Sequence, residues 1–304
     1  MPRKLVGGVC PCGSGDPAMS CCLQPDGKFR IQLPSLTPNG PVTGFCKSGC
    51  YLAETANCSH DLSAEHYISK TVLEEIGMKV FVEGLSWLVP NTRKEVGIGA
   101  LTANVLCSRH NSSLSNLDAH AGKFMRILKA IEYDFLQNPM SETYSASYLI
   151  SGEMLEAWMQ KVLLGIHFSG NAAGPDGPSF NKFPINMDRV LDALYNGVWG
   201  SKCGLYIFCS PGSIVTSRLS FEVMILCGLS KNMTYGARIR ICGLEFYIVI
   251  DDLHGNVLIS PDNVMRRPSY IRYQKNMRQH TIVMTWGASE DAADRGIILT
   301  RAST

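Results

Sequence analysis

The strongest periodicity in the chain lies between residues 114 and 135. Leu114, Leu117, Ala121, Phe124, Leu128, Ile131 and Phe135 recur at spacings of three and four, which lines one face of a helix. Pro139 breaks the pattern. A second helical run follows over about 151–166, with Met154, Leu155, Trp158, Val162 and Leu163 turned inward. Residues 169–184 are a loop by their Gly, Pro and Asn content. Beyond them the period shortens to two, and 204–208, 237–241, 244–250 and 281–286 read as strands. In one of these, Arg238 and Arg240 alternate with Ile239 and Ile241, as on a half-buried sheet. Asp251, Asp252 and His254 end another and read as a hairpin turn running into Gly255 and Asn256. Helices first and strands later predict an α+β fold with a strand-rich C-terminal domain. No internal repeat is present.

Composition narrows the class. At 304 residues and 45% hydrophobic, the chain can bury a substantial core. No apolar run reaches the roughly 20 residues that span a bilayer, and the first residues lack the apolar stretch of a signal peptide. No membrane association and a cytoplasmic location are therefore expected. The net charge of +2 means that any nucleic-acid surface must be local. Punctuation suggests four segments: a cysteine unit at 1–25, a linker at 26–45 with three prolines and an Asn39-Gly40 step, a second cysteine domain at 46–137 closed by a long helix, and an α+β domain at 138–304.

Twelve cysteines without a secretion signal point to metal ligands rather than disulfides. Cys203, Cys209, Cys227 and Cys242 lie in apolar, strand-like segments and read as buried thiols. The other eight lie within the first 107 residues. Cys10, Cys12, Cys21 and Cys22 can close a tetrahedral zinc site, with glycines letting the chain turn around it. The stretch Cys10-Pro-Cys12-Gly-Ser-Gly15 followed by Cys21-Cys22 resembles the SEC-C metal-binding motif. It lacks the lysines usual there. The resemblance implies a zinc-closed appendage that docks on a protein partner or on its own chain.

Cys50-x7-Cys58 and Cys107-x2-His110 form a second candidate zinc set, separated by a predicted helix and hairpin. Cys46 could replace Cys50 or pair with it, and His60 could enter the shell. Glu65-His66-Tyr67-Ile68-Ser69 follows the first pair, and Asn111 opens the long helix after the second, with Asp118 suited to its early dipole. Over roughly 46–125 the chain resembles HNH endonucleases of the treble-clef group, which carry Glu-His-Ile-Ile-Pro after the first knuckle and Cys-x2-Cys-Asn after the second. Here Ser69 stands where Pro is usual and His110 where Cys is usual. The resemblance implies a zinc-stapled HNH-like treble clef with a helical extension, hydrolysing DNA phosphodiesters in a defence or mobile-element setting. Glu65 and Asn111 would hold a catalytic Mg²⁺ or Mn²⁺, and His66 would be the general base.

Residues 266–280 carry five Lys or Arg and no acid. Arg266, Arg267, Arg272, Lys275 and Arg278, with Tyr270 and Tyr273 between them, have the composition of a nucleic-acid groove, or of a solvated basic edge strand. The competing functional expectation is a non-catalytic zinc-binding adaptor for nucleic acid or a protein partner.

Overall fold

A computed structural model describes residues 8–137, 143–172, 183–208, 220–228, 233–251, 264–287 and 296–300. Among them four α-helices form: α1 (Lys70–Ile76), α2 (Ser108–Gln137), α3 (Gly152–Ser169) and α4 (Met187–Asn196). The second helical run of the sequence, α3, is the centre of the molecule. The Ser151 side chain accepts a hydrogen bond from the Met154 amide and so caps its start, and Gly170 ends it at φ +66°. All the inward positions expected for it are buried, but so are Glu156, Gln160, Lys161 and His167. A helix covered on every side reads as apolar all round, and its few polar residues must find partners inside. In α2 the whole expected face from Leu114 to Phe135 is buried.

The strands are β1 (Leu62–His66), β2 (Lys79–Val82), β3 (Lys94–Gly97), β4 (Thr102–Cys107), β5 (Tyr144–Ser151), β6 (Gly204–Phe208), β7 (Phe221–Gly228), β8 (Met233–Ile241), β9 (Leu244–Val249), β10 (Val264–Arg266), β11 (Tyr270–Lys275), β12 (Arg278–Thr285) and β13 (Gly296–Thr300). β1 pairs antiparallel with β4, with an irregularity between Ser63 and Glu65, and β4 runs directly into α2. The hairpin β2–β3 is inserted between the two strands of that pair. An antiparallel sheet has the order β10-β6-β9-β8-β7, and a mixed sheet the order β13-β11-β12-β5. In the mixed sheet β11 and β12 are antiparallel, while β13 and β5 flank them in parallel. The helix α3 packs against α2, α4 and strands of both large sheets.

Arg238 and Arg240 do alternate with buried Ile239 and Ile241 on β8. Cys242 sits in the two-residue turn to β9, at φ +49°, followed by Gly243 at +83°, a hairpin geometry that matches strand twist. Cys203 and Cys242 are buried and Cys227 is half-buried. Cys209 and the expected turn at 252–256 lie outside the described residues. One apolar cluster runs from Cys50 to Leu299, so residues on both sides of the expected 137/138 boundary share a core. A satellite cluster joins Cys10, Ala18 and Cys22 to Leu149 of β5. There the Leu149 amide donates to the Pro11 carbonyl at 3.0 Å, so the N-terminal cysteine unit docks on its own chain. Among the described residues no helix is long and apolar enough to cross a membrane.

Candidate metal centres and active site

Two groups of ligand atoms converge, each with its members within 4.8 Å of one another: Cys10, Cys12, Cys21 and Cys22, and Cys50, Cys58, Cys107 and His110. In the second, Cys107 ends β4 and His110 lies in the first turn of α2, so one strand-to-helix junction delivers both ligands. The His110 Nδ1 faces the three sulfurs, at 3.2 Å from Cys107, 3.5 Å from Cys50 and 3.7 Å from Cys58. Its Nε2 meets the Thr55 hydroxyl at 3.0 Å, and that hydroxyl donates to the Leu52 carbonyl. With Nδ1 kept for a metal, Nε2 carries the proton and donates to Thr55, the orienting contact that metal-bound histidines usually have. Burial pushes His110 down to about 4, which keeps it neutral, and pushes the Cys50 thiol up to about 12. Burial also raises Cys107, but amide hydrogen bonds from His110 and Ser59 outweigh it and leave this thiol lowered.

These donors fit a structural metal ion. Three thiolates and one neutral imidazole, all at most 5% exposed, form a closed tetrahedral set of the kind zinc prefers. The alternatives fall away on geometry: Cys46 is exposed and outside the group, and His60 instead tilts over the Phe45 ring at 4.5 Å. The first group fits equally well. Its sulfurs approach to 3.5 Å between Cys12 and Cys21 and between Cys21 and Cys22. Lys123 of α2 reaches beneath it, donating to the Cys12 carbonyl at 2.5 Å and the Leu149 carbonyl at 3.0 Å. Burial lowers the Lys123 pKa while the four sulfurs hold it up, as expected for a cation set against a net-negative thiolate site.

Glu65, Asn111 and Asp118 also come together, but around an unexpected residue. Asn111 donates to the Ser63 hydroxyl at 2.7 Å, and its amide helps hold the Glu65 carboxyl in its charged form. The Lys161 ammonium, from α3, lies 2.6 Å from Glu65 Oε1 and 2.5 Å from Asp118 Oδ2. The Ser69 hydroxyl closes the group by donating to Asp118 and accepting from the Trp158 indole at 2.6 Å. Glu65 is 6% exposed and Lys161 4%. Burial raises the Glu65 pKa, opposed by the charge of Lys161 and the hydrogen bonds from Lys161 and Asn111. The expected catalytic Mg²⁺ or Mn²⁺ does not fit this cradle as built. A divalent ion on Glu65 would stand beside a fixed ammonium at a carboxylate only 6% exposed. His66 is half-buried, and burial, then the charge of Lys70, lower its pKa. Its Nε2 is buried with no hydrogen-bond partner.

The basic segment is largely internal. Arg267 is 6% exposed and grips Glu156 with two hydrogen bonds of 2.8 and 2.9 Å, between the Trp199 and Trp286 rings. Arg278 is likewise clamped on Asp134 at 2.6 and 2.9 Å, and Tyr273 is buried. These three leave the expected groove because each satisfies a core position or a buried carboxylate. Arg266 donates to the Cys203 carbonyl at 2.9 Å. Tyr270, with the Arg272 guanidinium 5.1 Å from its ring centre, and Lys275 stay partly open. Their strand β11 is interior to its sheet, not an edge.

Sequence reasoning placed a helix and a hairpin between the two ligand pairs but did not single out the exposed residues of the hairpin β2–β3. Phe81, Trp87 and Val89 are 59%, 44% and 71% exposed there, and Arg93 stands 4.7 Å over the Phe81 ring. Lys79 and Lys94 are exposed beside them. The signal was weak because Phe, Trp and Val at uneven spacing look like core. It missed Lys161 as well, although a lysine inside an otherwise apolar helix is itself a sign of a buried partner. Comparison with family models, with curated proteins and with solved structures returns no match.

Proposed function

We propose that the chain is a zinc-stapled, HNH-like module that binds nucleic acid without hydrolysing it through a divalent ion. The observation that carries this reading is Lys161, whose ammonium pairs with Glu65, the carboxylate expected to hold the catalytic ion, and with Asp118. The antiparallel pair β1–β4 leading into α2, with Cys/His ligands at both joints, supports the HNH-like part. Nucleic-acid binding is supported by the resemblance and by the β2–β3 hairpin. There, exposed Phe81 and Trp87 can stack on bases, and Lys79, Arg93 and Lys94 can contact phosphates.

A second reading, a metal-dependent DNA endonuclease, is favoured by Asn111, whose amide favours the charged form of Glu65, and by the adjacent His66, whose pKa burial lowers. One experiment separates the two. Purified protein is incubated with plasmid and Mg²⁺ or Mn²⁺, beside His66→Ala, and binding to labelled duplex and single-stranded DNA is followed by fluorescence anisotropy. The expected result is no cleavage by either protein and salt-dependent binding that a Trp87→Ala, Arg93→Ala variant weakens. Cleavage lost in His66→Ala would establish the endonuclease, and absence of salt-dependent binding would leave a protein partner as the adaptor's target.

A further inference from the structure

The feature that departs most from the expected chemistry is the cation between Glu65 and Asp118. Two carboxylates from different elements, β1 and α2, converge within the ββα unit, the Glu65 side chain 8% exposed and the Asp118 side chain 20%. Like charges this close repel unless a cation stands between them. Lys161 comes from outside that unit, from the central helix α3, and its ammonium reaches both oxygens. The remaining polar atoms are arranged as a shell. Asn111 favours the charged form of Glu65, and Ser69, held by the Trp158 indole, donates to Asp118. The Tyr51 hydroxyl lies in the electrostatic field of both carboxylates and is buried with no hydrogen-bond partner. Two carboxylates and a side-chain amide make an oxygen-rich setting, which suits a hard divalent ion better than a lysine.

We infer that Lys161 is a built-in replacement for a divalent ion, its ammonium filling and locking an oxygen-lined cradle formed by Glu65, Asp118 and Asn111. The inference rests on the HNH-like reading of the β1–β4–α2 unit. Lys161 then has two consequences. It keeps the cradle assembled without metal, and it couples the zinc-stapled unit to α3 and so to the strand-rich half. Removing it leaves two carboxylates facing each other, Glu65 buried and Asp118 half-buried, which a hard cation can reunite. The two thiolate-rich groups are soft sites and do not compete for such an ion.

The test uses the zinc-loaded full chain and Mn²⁺ as probe, read by electron paramagnetic resonance and by thermal melting. Wild type is expected to bind no Mn²⁺ at this site and to melt at the same temperature with or without it. Lys161→Ala is expected to melt lower and to recover on adding Mn²⁺, with one ion taken up per chain, and Glu65→Gln in that background to abolish the uptake. If Lys161→Ala does not fold, Lys161→Gln keeps most of the side-chain volume and two donors, and is expected to take up the ion in the same way. Mn²⁺ bound by wild type and lost in Glu65→Gln would overturn the replacement role while leaving the HNH-like reading in place. No Mn²⁺ uptake by folded Lys161→Ala or Lys161→Gln would instead overturn the cradle, and with it the HNH-like reading of these residues.

Discussion

Arg267 shows how far a side chain's role depends on partners remote in the sequence. It stands next to Arg266 in a basic segment, yet Glu156, 111 residues away, takes its guanidinium through two hydrogen bonds. The same carboxylate also accepts from the Leu205 amide at 2.6 Å. Removing the cation strands a buried charge, so Arg267→Ala should cost about 3–5 kcal/mol in urea unfolding while leaving DNA affinity unchanged. Arg272→Ala, on the open face of β11, should do the reverse. His120 gives a second residue-scale expectation. Burial pushes it down to about 4 from 6.5, against a hydrogen bond that its Nε2 donates to the Ser151 carbonyl at 3.0 Å. A histidine depressed in the folded state stabilises fully above its unfolded pKa and loses that contribution as pH falls. The loss therefore runs from about pH 6.5 down toward 4 and reaches on the order of 3 kcal/mol at the lower end. His120→Gln should flatten that part of the stability–pH curve, and an unchanged slope would remove His120 as its source. Both candidate metal-ligand sets were legible in the sequence because their chemistry repeats over short spacings. Lys161, Glu156 and Asp134 were not, since nothing local tells a buried ion pair from a solvated one.

At the scale of elements, the periodicities of α2, α3 and β8 carried the fold correctly because each has one dominant burial pattern. What they left out is how closely the elements approach. Gly165 on α3 lies against Tyr67, where an added Cβ would sit 2.9 Å from that residue's Cβ and 3.0 Å from its Cα. The segment after β1 is thereby pressed onto the central helix, and Lys161 lies one helical turn before Gly165 on the same side. Gly165→Ala should therefore cost about 1–3 kcal/mol by overpacking, despite alanine's better helix propensity. Thermal melts of this variant check it. A stabilised Gly165→Ala would mean that the Tyr67 backbone yields, and that α3 does not fix the position of β1. Similarly, the mixed pairing of β11 between β12 and β13 was not legible, because period-two alternation reports which face is buried but not which strand is the neighbour.

At the scale of the molecule, the two metal centres hold very different amounts of structure. Cys50, Cys58 and Cys107 belong to the apolar cluster that extends to Leu299, and His110 lies fully buried at the start of the helix whose face lines it. A metal there fixes β4, α2 and the loops before β1 against one another, and its binding energy contributes to folding of the shared core. Cys10, Cys12, Cys21 and Cys22 form instead a satellite over Leu149 and Val283, fastened by the Pro11–Leu149 hydrogen bond and by Lys123. The two centres should therefore separate by mutation. Cys107→Ser and Cys12→Ser should each lower the zinc content from two per chain to one. Only Cys107→Ser should lower the main melting transition by roughly 10 °C or more. Cys12→Ser should shift it by only a few degrees, with limited proteolysis cutting before residue 46 and leaving the rest intact. Collapse of the whole fold in Cys12→Ser would mean that the N-terminal unit is part of the core rather than a cap on it. Two zincs retained in Cys107→Ser would mean that the ligand set around His110 is wrong.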